Sequence, residues 1–192
     1  LGVFDPVGNH GPAIERQARV AAPPPGSDDA VMLNALFTAR FGLWRVLGPH
    51  PEGGARLLPM AGEEGEVRVL DGGLPDAEPG SGVAVRLARP QGVGFALTCG
   101  AAAPCDTRVL QRLLLNTPPE RDAPVIPSLP PPGDAAVLDR LLAQPATRGR
   151  VSALIGTKGL AARAYRAAID LGLMGPVPGR TPDHAVPPPA RG

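Results

Sequence analysis

Residues 41–70, FGLWRVLGPHPEGGARLLPMAGEEGEVRVL, decide the fold. Upstream, the apolar residues recur at helical spacing; from Phe41 they alternate, and alternation puts successive side chains on opposite faces of a strand. FGLWRVLG reads as a first strand, ending at the turn residues 49–54. ARLLPM and EVRVL flank AGEEG, a compact hairpin connection with Gly62 and Gly65 available for positive φ. Val67 and Val69 then point inward and Arg68 outward.

The pattern continues downstream. GVAVRLARP and GVGFALTCG form a second hairpin around Pro90, Gln91 and Gly92. Val83, Val85 and Leu87 oppose Arg86, and Val93, Phe95 and Leu97 continue the inward set. Five short strands in about sixty residues are better closed into a small barrel than left as an open sheet with two bare edges. The expected fold is α+β: a small SH3-like or OB-like β-barrel flanked by helices, with a proline-linked C-terminal helical segment.

The flanks read as helix. In residues 1–40, Pro12 opens a helix where its missing N–H is harmless, and Ile14, Ala18 and Ala21 share a face. Ser27 or Asp28 caps a second helix, whose stripe of Met32, Leu33, Leu36 and Phe37 is expected in the core. The barrel unit, 41–116, ends with a helix capped by Asp106, its inward face formed by Val109, Leu110, Leu113 and Leu114. Residues 117–133 are a proline-rich spacer. Residues 134–175 form a helical segment that opens with Asp134 and ends on Gly172 and Leu173 as a glycine C-cap with its apolar contact. Residues 176–192 lack periodicity and are expected to be disordered.

Composition narrows the function. The chain has 26 prolines and 25 glycines, yet 43% hydrophobic residues gathered in periodic blocks, enough for an ordered core. Lys158 is the only lysine among many arginines and alanines, the mark of a GC-rich bacterial genome rather than of a nucleic-acid binder. The net charge of +1 lacks the basic excess such a binder usually shows. Cys99 and Cys105 do not make a disulfide framework and are read as reduced cytosolic thiols. No apolar run approaches the ~20 residues of a membrane-spanning helix. No basic-then-apolar leader opens the sequence, an absence given no weight because residue 1 is leucine.

FDP followed by PAIERQA, the stretch ARFGLWRVLGPHPEGGARLLPMAGEEGEVRVLDGGL and the ending PVPGRTPDHA together resemble uncharacterised bacterial proteins associated with the SEC-C motif. The resemblance covers roughly the first half of the chain and a few tail residues. The cysteine-rich zinc segment that names the motif is absent, so no metal role carries over. What the resemblance implies is a helical entry followed by a small β-module, a fold rather than a reaction.

Candidate chemistry is sparse. His10, His50 and His184 are scattered, no serine sits in a nucleophile elbow, and no pair has metalloprotease spacing. Glu63 and Glu64 at the hairpin tip serve solubility. No catalytic residue, metal site or cofactor is expected. Speculative binding residues are Arg68 and Arg86, outward on the barrel, and Trp44, the single tryptophan. Thr157 and Lys158 join them from LIGTKGLAARAYRAAI at 154–169, which has the shape of a KH phosphate loop. A KH fold needs strands around that loop, and none is available here, so Thr157 is read as the N-cap of a helix running to about Leu171.

The leading expectation is a non-enzymatic bacterial, cytoplasmic interaction module with an unidentified protein partner and no membrane contact. The second is a nucleic-acid module using the barrel's arginine face; the third is an enzyme of unrecognised type. Oligomeric state is not legible.

Overall fold

The computed structural model describes Phe4 and residues 12–115 and 135–174. These run α1 (Ala13–Val20), α2 (Asp28–Phe37), β1 (Arg40–Pro49), β2 (Ala55–Pro59), β3 (Val67–Leu70), a 3₁₀ turn (Leu74–Asp76), β4 (Gly82–Ala88), β5 (Ala96–Thr98) and β6 (Ala103–Pro104). Four helices follow: α3 (Thr107–Leu115), α4 (Ala135–Leu142), α5 (Pro145–Ile155) and α6 (Leu160–Asp170). The spacer at 117–133, Asp134 and the tail at 176–192 fall outside the described residues.

Five strands close into a barrel, as the alternation demands. β1 pairs antiparallel with β2, β2 with β3, and β5 with β4, while β3 and β5 run parallel. β4 returns to β1 and completes the ring, and β6 adds to β4. The closure depends on the length of β1. Its first part, Arg40 to Arg45, lies along β4, and its later part, from Trp44 on, lies along β2. A register slip between Val46 and Gly48 bends the strand as a bulge does.

Alternation then serves two cores. Inside the barrel are Trp44, Val46, Ala55, Leu57, Val69, Val83, Val85, Leu87 and Ala96, and Leu74 plugs one side. Outside it, Leu43 of β1 and Ala84 of β4 meet Val109, Leu110, Leu113 and Leu114 of α3. Leu138 and Leu142 of α4, Val151 and Leu154 of α5, and Leu160 and Ala164 of α6 belong to the same cluster. β1 and β4 are therefore buried on both faces, and the C-terminal helices share one core with the barrel. Polar ties reinforce the contact: Arg45 pairs with Asp139, and Arg150 Nη2 donates to the Leu114 carbonyl at 2.8 Å. Tyr165 donates its hydroxyl to the Ala101 carbonyl, and its ring lies 5.8 Å from that of Phe41.

Three of the helix caps expected from single residues hold. Ser27 Oγ accepts from the Ala30 N–H, and Asp106 Oδ1 from the Val109 N–H. At the end of α6, Gly172 has φ +70° and donates to Ile169 O while Leu173 donates to Ala168 O, the paired bonds of a Schellman cap.

Other expectations are corrected. α1 buries none of its residues; Ile14 and Ala18 of its shared face are half-covered and Ala21 is exposed. In α2 only Ala35 is buried; Met32, Leu33 and Leu36 are half-covered and Phe37 is 54% exposed. The inward set at 93–97 is shifted by one residue: Ala96 is buried, Phe95 and Leu97 are half-buried, and Val93 is exposed. A one-residue shift exchanges the two faces of a strand. α5 lies within the expected helical segment 134–175, where the sequence does not set it apart as a helix of its own. It places Thr157 in the turn after a helix, and α6 starts instead at Leu160, behind Gly159 at φ +76°.

Candidate functional site

The barrel's arginines are mostly engaged. Arg68 does point outward, but its Nε donates to Gly53 O at 3.0 Å and its Nη1 to Glu52 Oε2 at 2.6 Å. It clamps the turn between β1 and β2. Arg56 lies directly opposite Arg68 in the sheet and turns to Glu66, 3.8 Å away. Arg86 donates to Ala39 O at 3.0 Å, with its guanidinium 4.9 Å from the Phe4 ring centre. Arg68 and Arg86 thus lie on different strands and serve different turns, not one shared arginine face.

Thr157 and Lys158 do not make a phosphate loop. The Thr157 N–H and hydroxyl both donate to Leu154 O, at 3.0 and 2.7 Å, so this residue closes α5. Its oxygen also accepts from Arg163. Lys158 is exposed in the turn between α5 and α6. His50 holds its own turn, with Nδ1 accepting from the Glu52 N–H at 3.1 Å. Among the described residues no three His, Cys, Asp or Glu side chains gather as a metal site would require.

Cys99 and Cys105 are free. Burial pushes the Cys105 thiol up to about 12, and nearby Asp106 adds to the effect. Desolvation also raises Cys99, against a backbone hydrogen bond at Ala88 and the charge of Arg86. Neither is an activated thiolate.

Trp44 is where structure gathers something the sequence kept apart. It is 6% exposed and forms part of the barrel core, packed over Gly42. A Cβ added to Gly42 would stand 2.8 Å from the indole Nε1, so only glycine leaves room for the ring. The indole Nε1 is buried with no hydrogen-bond partner among the described residues. One end of the barrel opens above the ring as a cavity of about 320 Å³ lined by Thr38, Arg40, Trp44, Glu64, Leu87 and Arg89. That volume is at the lower end of small-ligand sites.

Each wall comes from a different place. Arg40 begins β1 beside Leu87 near the end of β4. Glu64 comes from the β2–β3 connection and pairs with Arg89, just past β4. The Arg89 guanidinium stands 5.8 Å from the Trp44 ring centre, within cation–π range. Arg40 makes no ion pair or side-chain hydrogen bond among the described residues. Thr38 ends α2, where its hydroxyl donates to Asn34 O at 2.9 Å. Of the six lining residues, sequence reasoning singled out Trp44 alone as a binding candidate; Glu64 was read as a solubilising charge. Arg40 and Arg89 carry no local signal, because only closure of the ring brings strand beginnings and ends together.

No described helix is long and apolar enough to cross a membrane. Comparison of the chain with family models, with curated proteins and with solved structures gave no match in any of the three.

Proposed function

We propose that the chain is a non-enzymatic interaction module of the bacterial cytoplasm that works through protein contacts, with the barrel-end cavity as its contact site. The observation that carries this reading is the way the barrel's arginines are committed. Arg68 is held by Glu52, Arg56 by Glu66 and Arg45 by Asp139. A nucleic-acid backbone binds by having its serial phosphates neutralised by free cations, and here three pairs would have to open first. An indole and Leu87 framed by arginine, with exposed Phe37 next in sequence to the lining residue Thr38, have the composition of a protein-interface hot spot. Two free thiols agree with a reducing compartment.

A second reading is favoured by one observation, the strand order. A ring in the order β1-β2-β3-β5-β4 with β3 and β5 parallel has the connectivity of OB-like barrels, many of which bind single strands. Affinity capture from a GC-rich bacterial lysate, with and without nuclease, separates the two. The expected result is a protein partner that survives nuclease and is lost with Arg40→Ala in a folded variant. Nuclease-sensitive recovery would favour the second reading. Recovery untouched by Arg40→Ala would move the contact away from the barrel end.

A further inference from the structure

We infer that the barrel-end cavity receives a carboxylate from an acidic peptide segment, and that Glu64 is a resident carboxylate which the incoming one displaces. The inference rests on the protein-contact reading above and names the chemistry of the partner.

The cavity already displays the interaction. A carboxylate, Glu64, sits on a guanidinium, Arg89, which itself stands beside an indole. The Glu64 and Arg89 side chains are 48% and 43% exposed, so water screens the pair and it exchanges readily. A second guanidinium, Arg40, lines the same space and has no partner of its own among the described residues. Two arginines against one glutamate leave one positive charge in excess, the complement of a single carboxylate.

The negative end of α2 opposes an anion, since unsatisfied carbonyls gather at a helix C-terminus. Thr38 blunts that opposition, because its hydroxyl and its N–H both cover the Asn34 carbonyl. Trp44 and Leu87 line the cavity but are 6% and 4% exposed, so the residue beside the acid meets only a narrow apolar edge. A chain of phosphates fits less well: one cation is in excess here, and the neighbouring arginines are held elsewhere. An isolated acidic side chain flanked by apolar ones fits best.

Because Trp44 is the only tryptophan, its emission reports directly on the cavity. The full chain is titrated with a blocked peptide of sequence Leu-Ala-Glu-Phe, with its Gln counterpart, with inorganic phosphate and with an oligothymidylate. A saturable change in emission is expected with the acidic peptide alone. Arg40→Gln should weaken that binding about tenfold, the scale of one lost charge-assisted hydrogen bond, and Arg40→Lys should recover part of it. Glu64→Gln should strengthen binding several-fold by removing the internal competitor, and Lys158→Ala should leave it unchanged. Thermal melts confirm that each variant is folded. Equal binding of the Gln peptide, weaker binding in Glu64→Gln, or a response to oligothymidylate or phosphate would each overturn the inference. If lysate capture still yields an Arg40-dependent protein while the acidic peptide leaves Trp44 silent, the carboxylate assignment fails and the protein-contact reading stands.

Discussion

Asp71 ties the joint where β3 meets β5. It follows β3, accepts hydrogen bonds from the Gly73 and Leu74 N–H groups at 2.8 and 3.1 Å, and takes a third from Thr98 of β5. It thereby ties the two strands of the parallel pair. Desolvation works to raise its pKa, but the three donors together hold it below the usual 3.8. A depressed carboxylate contributes stability that is fully present above its unfolded value and lost as pH falls through its folded one. Asp71→Asn should therefore melt below the wild type at pH 7, with the gap closing below about pH 3.8. Thermal melts across that window check it; a gap independent of pH would assign Asp71 a purely steric role. Such residues divide by legibility. Ser27 and Asp106 were readable because a cap and its target lie three positions apart. Thr98 and Asp71 meet only after the barrel closes, and so do Arg40, Glu64 and Arg89 around Trp44.

Strong alternation made β1 to β4 legible, and weak alternation hid β5. Only Ala96–Thr98 is strand there, too short to fix its own register, so the bulk of Phe95 outweighed the small Ala96 that fills the barrel. The turn between α5 and α6 misled in another way. Gly156, Thr157, Lys158 and Gly159 suit a helix start as well as a helix end, and α5 itself carries little amphipathic pattern to break the tie. The distinction has a measurable consequence. Since the Thr157 hydroxyl donates to the Leu154 carbonyl, aspartate loses that bond and sets a carboxylate against the carbonyl, although it keeps an acceptor for Arg163; as an N-cap it would serve well. Thr157→Asp should destabilise the chain by about 1 kcal/mol, and Thr157→Ser should leave it close to wild type. Chemical denaturation decides; an aspartate variant as stable as wild type would restore the N-cap.

At the level of the molecule, the sequence divided the chain where the core does not. A proline-rich stretch invites a boundary at 117–133, yet Leu138, Val151 and Leu154 complete the cluster begun by Leu43 and Leu110. Stripping away Leu138 and Leu154 alone, at about 2–5 kcal/mol each for a large-to-small change, is on the scale of a domain's whole stability of about 5–15 kcal/mol. Pattern could not reveal this, because a strand buried on both faces and a helix stripe each advertise only that they need cover, not which partner supplies it. The double burial of β1 and β4 makes the protein a candidate for reassembly from halves. Fragments 1–115 and 135–192, expressed together, should complement one another and elute as a single one-to-one species. Fragment 1–115 alone should self-associate through the uncovered flank of the barrel. A soluble, monomeric and cooperatively melting 1–115 would show the barrel to be self-sufficient. If complementation holds, the covalent link across the middle of the chain is a matter of local concentration, and the two halves recognise each other as a protein recognises its own missing piece.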